Sequence, residues 1–408
     1  MLALLLFQVP AVAGVIEANL EMVARSDLGA PATFGDVTVV GTVAMVATDG
    51  PGCAGAVKVV DLKDPAKPHV VASIALPAGT SADDLDSVIV DAPAFRGDLL
   101  AVALAPCAGG PSPAVVYYDV TAPAAPRLVA QTAGATSISL AQRGDGRVLA
   151  ARATAAGVVV DDITDPARPA VLGEWRDRAV PTGPCASVQL YDSGDAAVAV
   201  LADGRTYDLD LTEPTRPQVA GPAETGGGQV GVLPLGSRTI AVVAEGHCAE
   251  GRTEPGLRVL TLEPGVTPAE ATPVRYAGEH VPERLVTSGA LAYVTWRGAG
   301  LRVVDFGEVR PRVVAQFVPE LPDVVGVALL DEHVVVTDVS SGLYVLERPD
   351  EGGGRSTFWT QFLELIPYLG GAAVLAAAFL VPRLVGGRAG AASRAGMPTP
   401  AGVPRRRA

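Results

Sequence analysis

The chain has 408 residues, a formal net charge of −13, and a hydrophobic share of 49% alongside 46 glycines and 34 prolines. That mix suits many short buried strands joined by turns. The acids crowd a body of about −19 and none follows Glu364, so the body lacks the basic face that nucleic-acid binding requires.

In chain order, residues 2–7 are apolar and lead to Ala11-Val12-Ala13, a small-x-small pattern of the kind a signal peptidase cuts. This predicts an export signal over 1–17. The basic start of such signals is missing, and a plain strand is the competing reading. Next come residues 36–43, alternating and β-branched, then apolar 44–48, a glycine-rich link, 56–61, a turn, and 69–76. Four short strands, A to D, bounded by turn residues are expected there. The turn carries a phrase that recurs. Asp61-Leu62-Lys63-Asp64-Pro65 returns as Asp119-Val120-Thr121-Ala122-Pro123, Asp162-Ile163-Thr164-Asp165-Pro166 and Asp210-Leu211-Thr212-Glu213-Pro214. An acid before proline opens a type I turn, and the second proline (Pro68, Pro126, Pro169, Pro217) makes strand D an edge strand.

Weaker copies end strand C at 261, 305 and 347, so seven units follow one another at spacings of 42 to 58 residues. Such spacing suits four-stranded propeller blades. The last unit has no strand D of its own. Residues 21–28 match 69–76 and stand before the first strand A, so they are expected to close the ring. The predicted fold is all-β: a seven-bladed β-propeller over 18–350, with six blades and a loose first strand as the alternative. The repeated phrase resembles the LVIVD repeat of predicted propellers in bacterial and archaeal surface proteins. The resemblance covers nearly all of 34–350 and implies the fold. It implies no catalytic residues, because that family has no agreed catalytic motif.

A juxtamembrane linker is expected over 351–362. Residues 365–385 then run 21 positions with one charge, Arg383, behind Phe358, Trp359 and Phe362 and before five more arginines. That pattern predicts a transmembrane helix over 363–386 and a basic, disordered cytoplasmic tail over 387–408. The trailing helix resembles the anchors of other exported propellers. The propeller body is then expected to be extracellular or periplasmic, single-pass and monomeric.

Cys53, Cys107, Cys185 and Cys248 fall in B–C or D–A loops, all at one end of the predicted ring, and fit two disulfides. Adjacency favours Cys53 with Cys107, and then Cys185 with Cys248, although four cysteines allow three pairings. The same end gathers acids beside strand A of neighbouring units: Asp36; Asp83, Asp84 and Asp86; Glu279, His280 and Glu283; and Asp323. This arc is a candidate ligand site for a cation such as Ca²⁺, or for a basic ligand. The end bearing the Asp-Pro turns reads as structural. Phosphate-loop, nucleophile-elbow and His-Glu-x-x-His motifs are lacking. The function expected is a membrane-anchored scaffold that binds a protein or glycan, with a hydrolase or lyase acting through a metal or carboxylates as the alternative. Convergence of Asp36, Glu283 and Asp323 on one point would favour the enzyme.

Overall fold

The turn phrase works through its first aspartate. Asp61 Oδ1 accepts the backbone N–H of Lys63 at 2.8 Å, and Asp119, Asp162, Asp210 and Asp305 repeat the bond to Thr121, Thr164, Thr212 and Gly307 at 2.8–3.0 Å. An aspartate that caps the N–H two residues on is a turn-former by itself. The residue between is a plug. Leu62, Val120, Ile163, Leu211 and Phe306 are at most 2% exposed, and each donates its N–H back to the hairpin formed by the first two strands of its own meander, at its turn or at the start of the second strand.

The computed structural model describes residues 16–29, 31–154, 157–180, 186–245, 256–263, 266–270, 274–275, 280–308 and 310–349. The expected transmembrane segment 363–386, the tail and residues 1–15 lie outside these. Among the described residues no helix is long and apolar enough to cross a membrane.

Two short strands open the described chain, β1 (Ile16–Ala18) and β2 (Met22–Ser26). Antiparallel meanders follow. The first is β3 (Thr33–Val40), β4 (Val43–Gly50), β5 (Ala54–Asp61) and β6 (His69–Ala75). Next come β7 (Thr80–Asp91), β8 (Arg96–Pro106), β9 (Ala114–Asp119) and β10 (Arg127–Ala133), then β11 (Ser137–Gln142), β12 (Val148–Thr154), β13 (Gly157–Asp162) and β14 (Ala170–Arg176). After these stand β15 (Ser187–Tyr191), β16 (Ala196–Val200), β17 (Arg205–Asp210) and β18 (Gln218–Glu224). In the next group, β19 (Gly228–Leu235), β20 (Arg238–Glu245) and β21 (Gly256–Leu262) carry β22 (Ala269–Glu270) and β23 (Val274–Arg275) on one edge. The last are β24 (Pro282–Ser288), β25 (Leu291–Trp296), β26 (Gly300–Asp305) and β27 (Arg312–Val318), and then β28 (Val324–Leu330), β29 (His333–Asp338) and β30 (Gly342–Glu347). The inner strand β3 starts three residues before its expected position. Its turn falls at Gly41, whose φ of 54° suits a tight hairpin, rather than at Val43.

β2 pairs with β30 as a fourth strand, the partner expected from its likeness to residues 69–76. The register supports the likeness in detail. A one-residue bulge leaves Val23 unpaired in β2, and the outer strands β6, β10, β14 and β27 carry the same bulge at Val71, Val129, Leu172 and Val314. Bulges bend and twist an edge strand, which discourages pairing with other chains. β1 adds a pairing not anticipated from sequence: it lies along β27 as a fifth strand. Between β1 and β2, Leu20 is 2% exposed in the core, and Asn19, at φ 55°, donates to the Val314 carbonyl at 2.8 Å.

The core lies between meanders. Each apolar cluster joins two consecutive ones, as where Leu149 and Val160 meet Leu190 and Leu209. A further cluster packs Val335, Leu343 and Val345 of the last meander against Phe34, Val46 and Val60 of the first. Central strands such as β4 and β8 are apolar on both faces because both are covered. The first strand of every meander contributes to one central channel. The chain is therefore a β-propeller.

Cys53 and Cys107 form a disulfide with Cα atoms 6.5 Å apart, the pairing that adjacency favoured. Cys185 and Cys248 lie outside the described residues. The bridge sits where β5 touches β7 through Ala54 and Thr80, and a side chain at Gly55 would meet the Thr80 carbonyl at 2.5 Å. It closes a loop of 54 residues. Cys53→Ser/Cys107→Ser is expected to lose about 2–4 kcal/mol of stability, read as a lower urea midpoint.

Candidate functional site

An inner strand of a propeller pairs on one edge only, and its other edge faces the channel. The backbone groups there need partners from elsewhere. Side chains from the neighbouring meander supply them. Asp36 Oδ2 accepts the N–H of Leu85 at 2.9 Å, Asp84 Oδ2 that of Ile138 at 2.9 Å, and Asp86 Oδ2 that of Leu140 at 2.7 Å. Ser139 Oγ accepts from Leu190 N–H at 3.1 Å. Hydroxyls continue the stitching elsewhere. Ser187 donates to Gly228 O at 2.6 Å, Thr287 to Val232 O at 2.8 Å, and Thr337 to Gly35 O at 2.5 Å. The cavity so framed has a volume of about 400 Å³.

Of the predicted arc, Asp36, Asp84 and Asp86 line this channel. Asp84 and Asp86 were expected in the loop before a strand and stand within β7, as Asp36, expected at the start of a strand, stands within β3, because those strands carry the inward edge that the carboxylates serve. A residue overlooked in the sequence organises them. Arg284, on β24, reaches across the channel mouth, with Nη1 2.5 Å from Asp84 Oδ1 and Nε 3.7 Å from Asp36 Oδ1. Its Nη2 donates to the carbonyl of Asp83, whose side chain is exposed. Arg284 is 20% exposed and both aspartates 9%. The signal was a lone arginine beside Glu283, on a strand expected to face the acids.

Burial pushes the carboxyl of Asp36 up to about 7; Arg284 opposes the shift and Asp84 adds to it. Burial likewise pushes Asp86 to about 7 against the hydrogen bonds from Leu140 and Ser87, with Asp84 and Asp36 adding. Arg284 is itself desolvated, yet the charges of Asp36, Asp84 and Asp83 hold its pKa above the usual arginine value. A free aspartate titrates near 4, so the folded chain binds more protons than the unfolded chain between about pH 4 and 7. The contribution of these two groups to stability therefore declines as pH rises through that window. Asp86→Asn is expected to flatten the fall in melting temperature between pH 5 and 8, measured by calorimetry.

The rest of the arc does not join this cluster. Glu283 and Asp323 meet at Arg297 instead, 2.5 Å and 3.9 Å from its Nε. His280 is exposed and lies over Gly298. Glu279 is outside the described residues. Asp36, Glu283 and Asp323 thus do not converge on one point. Among the described residues no three His, Cys, Asp or Glu are placed to hold a metal ion. Three channel carboxylates alone would suit Ca²⁺, but Arg284 stands between two of them, and a guanidinium in that place repels a cation. The arc does not fit a calcium site. Trp296, the neighbour of Arg297, is 1% exposed and belongs to the core.

No family model matches the chain, and no curated protein matches it. Among solved structures the chain is similar to BamB from Moraxella catarrhalis, at 14% identity and a TM-score of 0.48, over 78% of this chain and 85% of that one. Likeness at that level carries no functional argument, and the propeller assignment rests on the strand pairing and the channel. The arrangement at the mouth is a rigid polar rim: carboxylates held by backbone N–H groups on one side and by arginines on the other.

Proposed function

We propose that the meanders are blades of a seven-bladed ring closed by β2, and that the chain is an exported, membrane-anchored propeller of the LVIVD-repeat kind. Its channel mouth serves as a binding scaffold for a protein or glycan. The seven sequence registers support the blade count, as does the part every meander's first strand takes in the channel wall. The apolar 21-residue segment with arginines behind it supports the anchor.

One observation carries the binding reading. The mouth acids are committed to Arg284, Arg297 and neighbouring backbone donors, which fixes the rim in shape and leaves its loops as the variable surface. The raised carboxyls of Asp36 and Asp86 favour the hydrolase or lyase reading, since a catalytic acid or base works best near neutral pH. Against it, both oxygens of Asp86 already accept backbone N–H bonds, at 2.7 Å each.

The test uses the full-length protein in its own cells. A photo-crosslinker at Asp83, exposed at the mouth, is expected to trap one discrete protein or glycan conjugate on intact cells. Turnover of a chromogenic ester or glycoside that disappears in Asp86→Asn would replace the scaffold with an enzyme. External protease is expected to shave the propeller from intact cells, and protection until lysis would overturn the location.

A further inference from the structure

A second cavity opens at the end carrying the Asp-Pro turns, between the β15–β18 and β19–β21 meanders, with a volume of about 530 Å³. The gap exists because the facing positions on β16 and β18 are small: Ala196 and Ala220 line it where bulkier residues would fill the wedge. Its apolar wall, from the β19–β21 meander, includes Val232, Pro234 and Leu262, and the wall from the β15–β18 meander is acidic.

The acids are unevenly satisfied. Asp195 holds Arg143 at 2.5 Å, and that arginine also donates to the carbonyls of Gly194 and Leu211 at 3.3 and 3.0 Å. Asp208, 5% exposed, accepts the hydroxyl of Tyr191 at 2.7 Å. Asp210 Oδ1 takes the N–H and hydroxyl of Thr212 at 2.9 and 2.7 Å. Asp192 and Asp210 are both exposed, and neither has an ion-pair partner among the described residues. Asp192 is held at φ 48°, in the left-handed region, with Ser193 at 53° beside it. Three aspartates thus face the cavity with no cation, opposite an apolar wall. The field is felt by Tyr191, whose pKa is raised by burial first and then by Asp208, Asp192 and Asp210.

We infer that this cavity binds a small organic cation, an ammonium or amidinium head on an apolar body. The body lies against Val232 and Leu262, and the head is held by Asp192 and Asp210. The volume falls in the range of small-molecule sites, which combine apolar walls with a few placed polar groups, and the charge complementarity selects the head group. Nothing in the channel site requires this one.

Benzamidine, with benzamide as its neutral isostere, tests the assignment on the full-length protein by titration calorimetry. Saturable binding of benzamidine with Kd in about the millimolar range is expected, with benzamide at least tenfold weaker. Asp192→Asn/Asp210→Asn, both at exposed positions, is expected to weaken benzamidine by about tenfold while leaving the melting temperature within a degree or two. No saturable binding of benzamidine, or equal binding of benzamide, overturns the inference. So does a double variant that binds unchanged, or a loss of binding in Asp86→Asn, which would place the cation in the channel.

Discussion

Arg284→Met is expected to destabilise the protein by about 3–5 kcal/mol at pH 8 and by clearly less at pH 5. The guanidinium stands between Asp36 and Asp84, both 9% exposed, and reaches them from a strand 200 residues away from Asp84 in sequence. Removing it leaves two neighbouring carboxylates on adjacent inner strands, β3 and β7, with no cation between them. Asp36 also loses the charge that opposes its upward shift, so its carboxyl rises further above 7. A raised carboxyl binds its proton more tightly folded than unfolded, and its contribution to stability is lost as pH rises. At pH 5 the folded variant keeps that proton and the repulsion is relieved; at pH 8 it is not. Urea denaturation at the two pH values measures the difference. Equal losses at both would mean that Arg284 acts only by filling the mouth.

Asp161→Asn is expected to cost about 3–5 kcal/mol. Asp161 is 1% exposed and accepts from Arg152, 4% exposed, at 2.5 and 3.1 Å, a two-bond clasp inside the β11–β14 meander. Arg152 also donates to the carbonyl of Ala133 at 2.9 Å. Neutralising the acid strands a cation in the core with one carbonyl for company. The Arg152→Met/Asp161→Leu pair is expected to recover most of the loss, because neither charge then remains to be desolvated. A double-mutant cycle by urea denaturation reads the coupling. A double variant as unstable as the single would mean that the clasp holds the β12–β13 geometry and is more than a neutralised defect.

These two arginines show where a sequence reading stops. Asp61, Asp119, Asp162 and Asp210 were legible because each acts within two residues of itself, and the likeness of residues 21–28 to 69–76 was legible because both meet the same bulge. Arg152 and Arg284 carry no local pattern. Each is a single charge on a buried or half-buried strand, and its meaning depends on Asp161 nine residues away or on Asp84 two hundred away. The acidic arc was read as a cluster from loop position alone. In three dimensions it separates into an Asp36–Arg284–Asp84 group and a Glu283–Arg297–Asp323 group, with Asp86 bonded to a neighbouring strand. β1 escaped notice for the same reason: three residues have no signature until β27 offers them an edge.

Turn chemistry, strand alternation and the repeat interval act over a few residues, and by themselves they determined the meanders, their edges and the strand that completes the last one. Which charges meet was decided only when the strands were wound around a common axis. That winding brings residues from distant meanders within hydrogen-bond reach, turns inner-strand acids into partners for orphaned backbone N–H groups, and leaves a wedge beside Ala196 and Ala220 at the end where the sequence shows only turns.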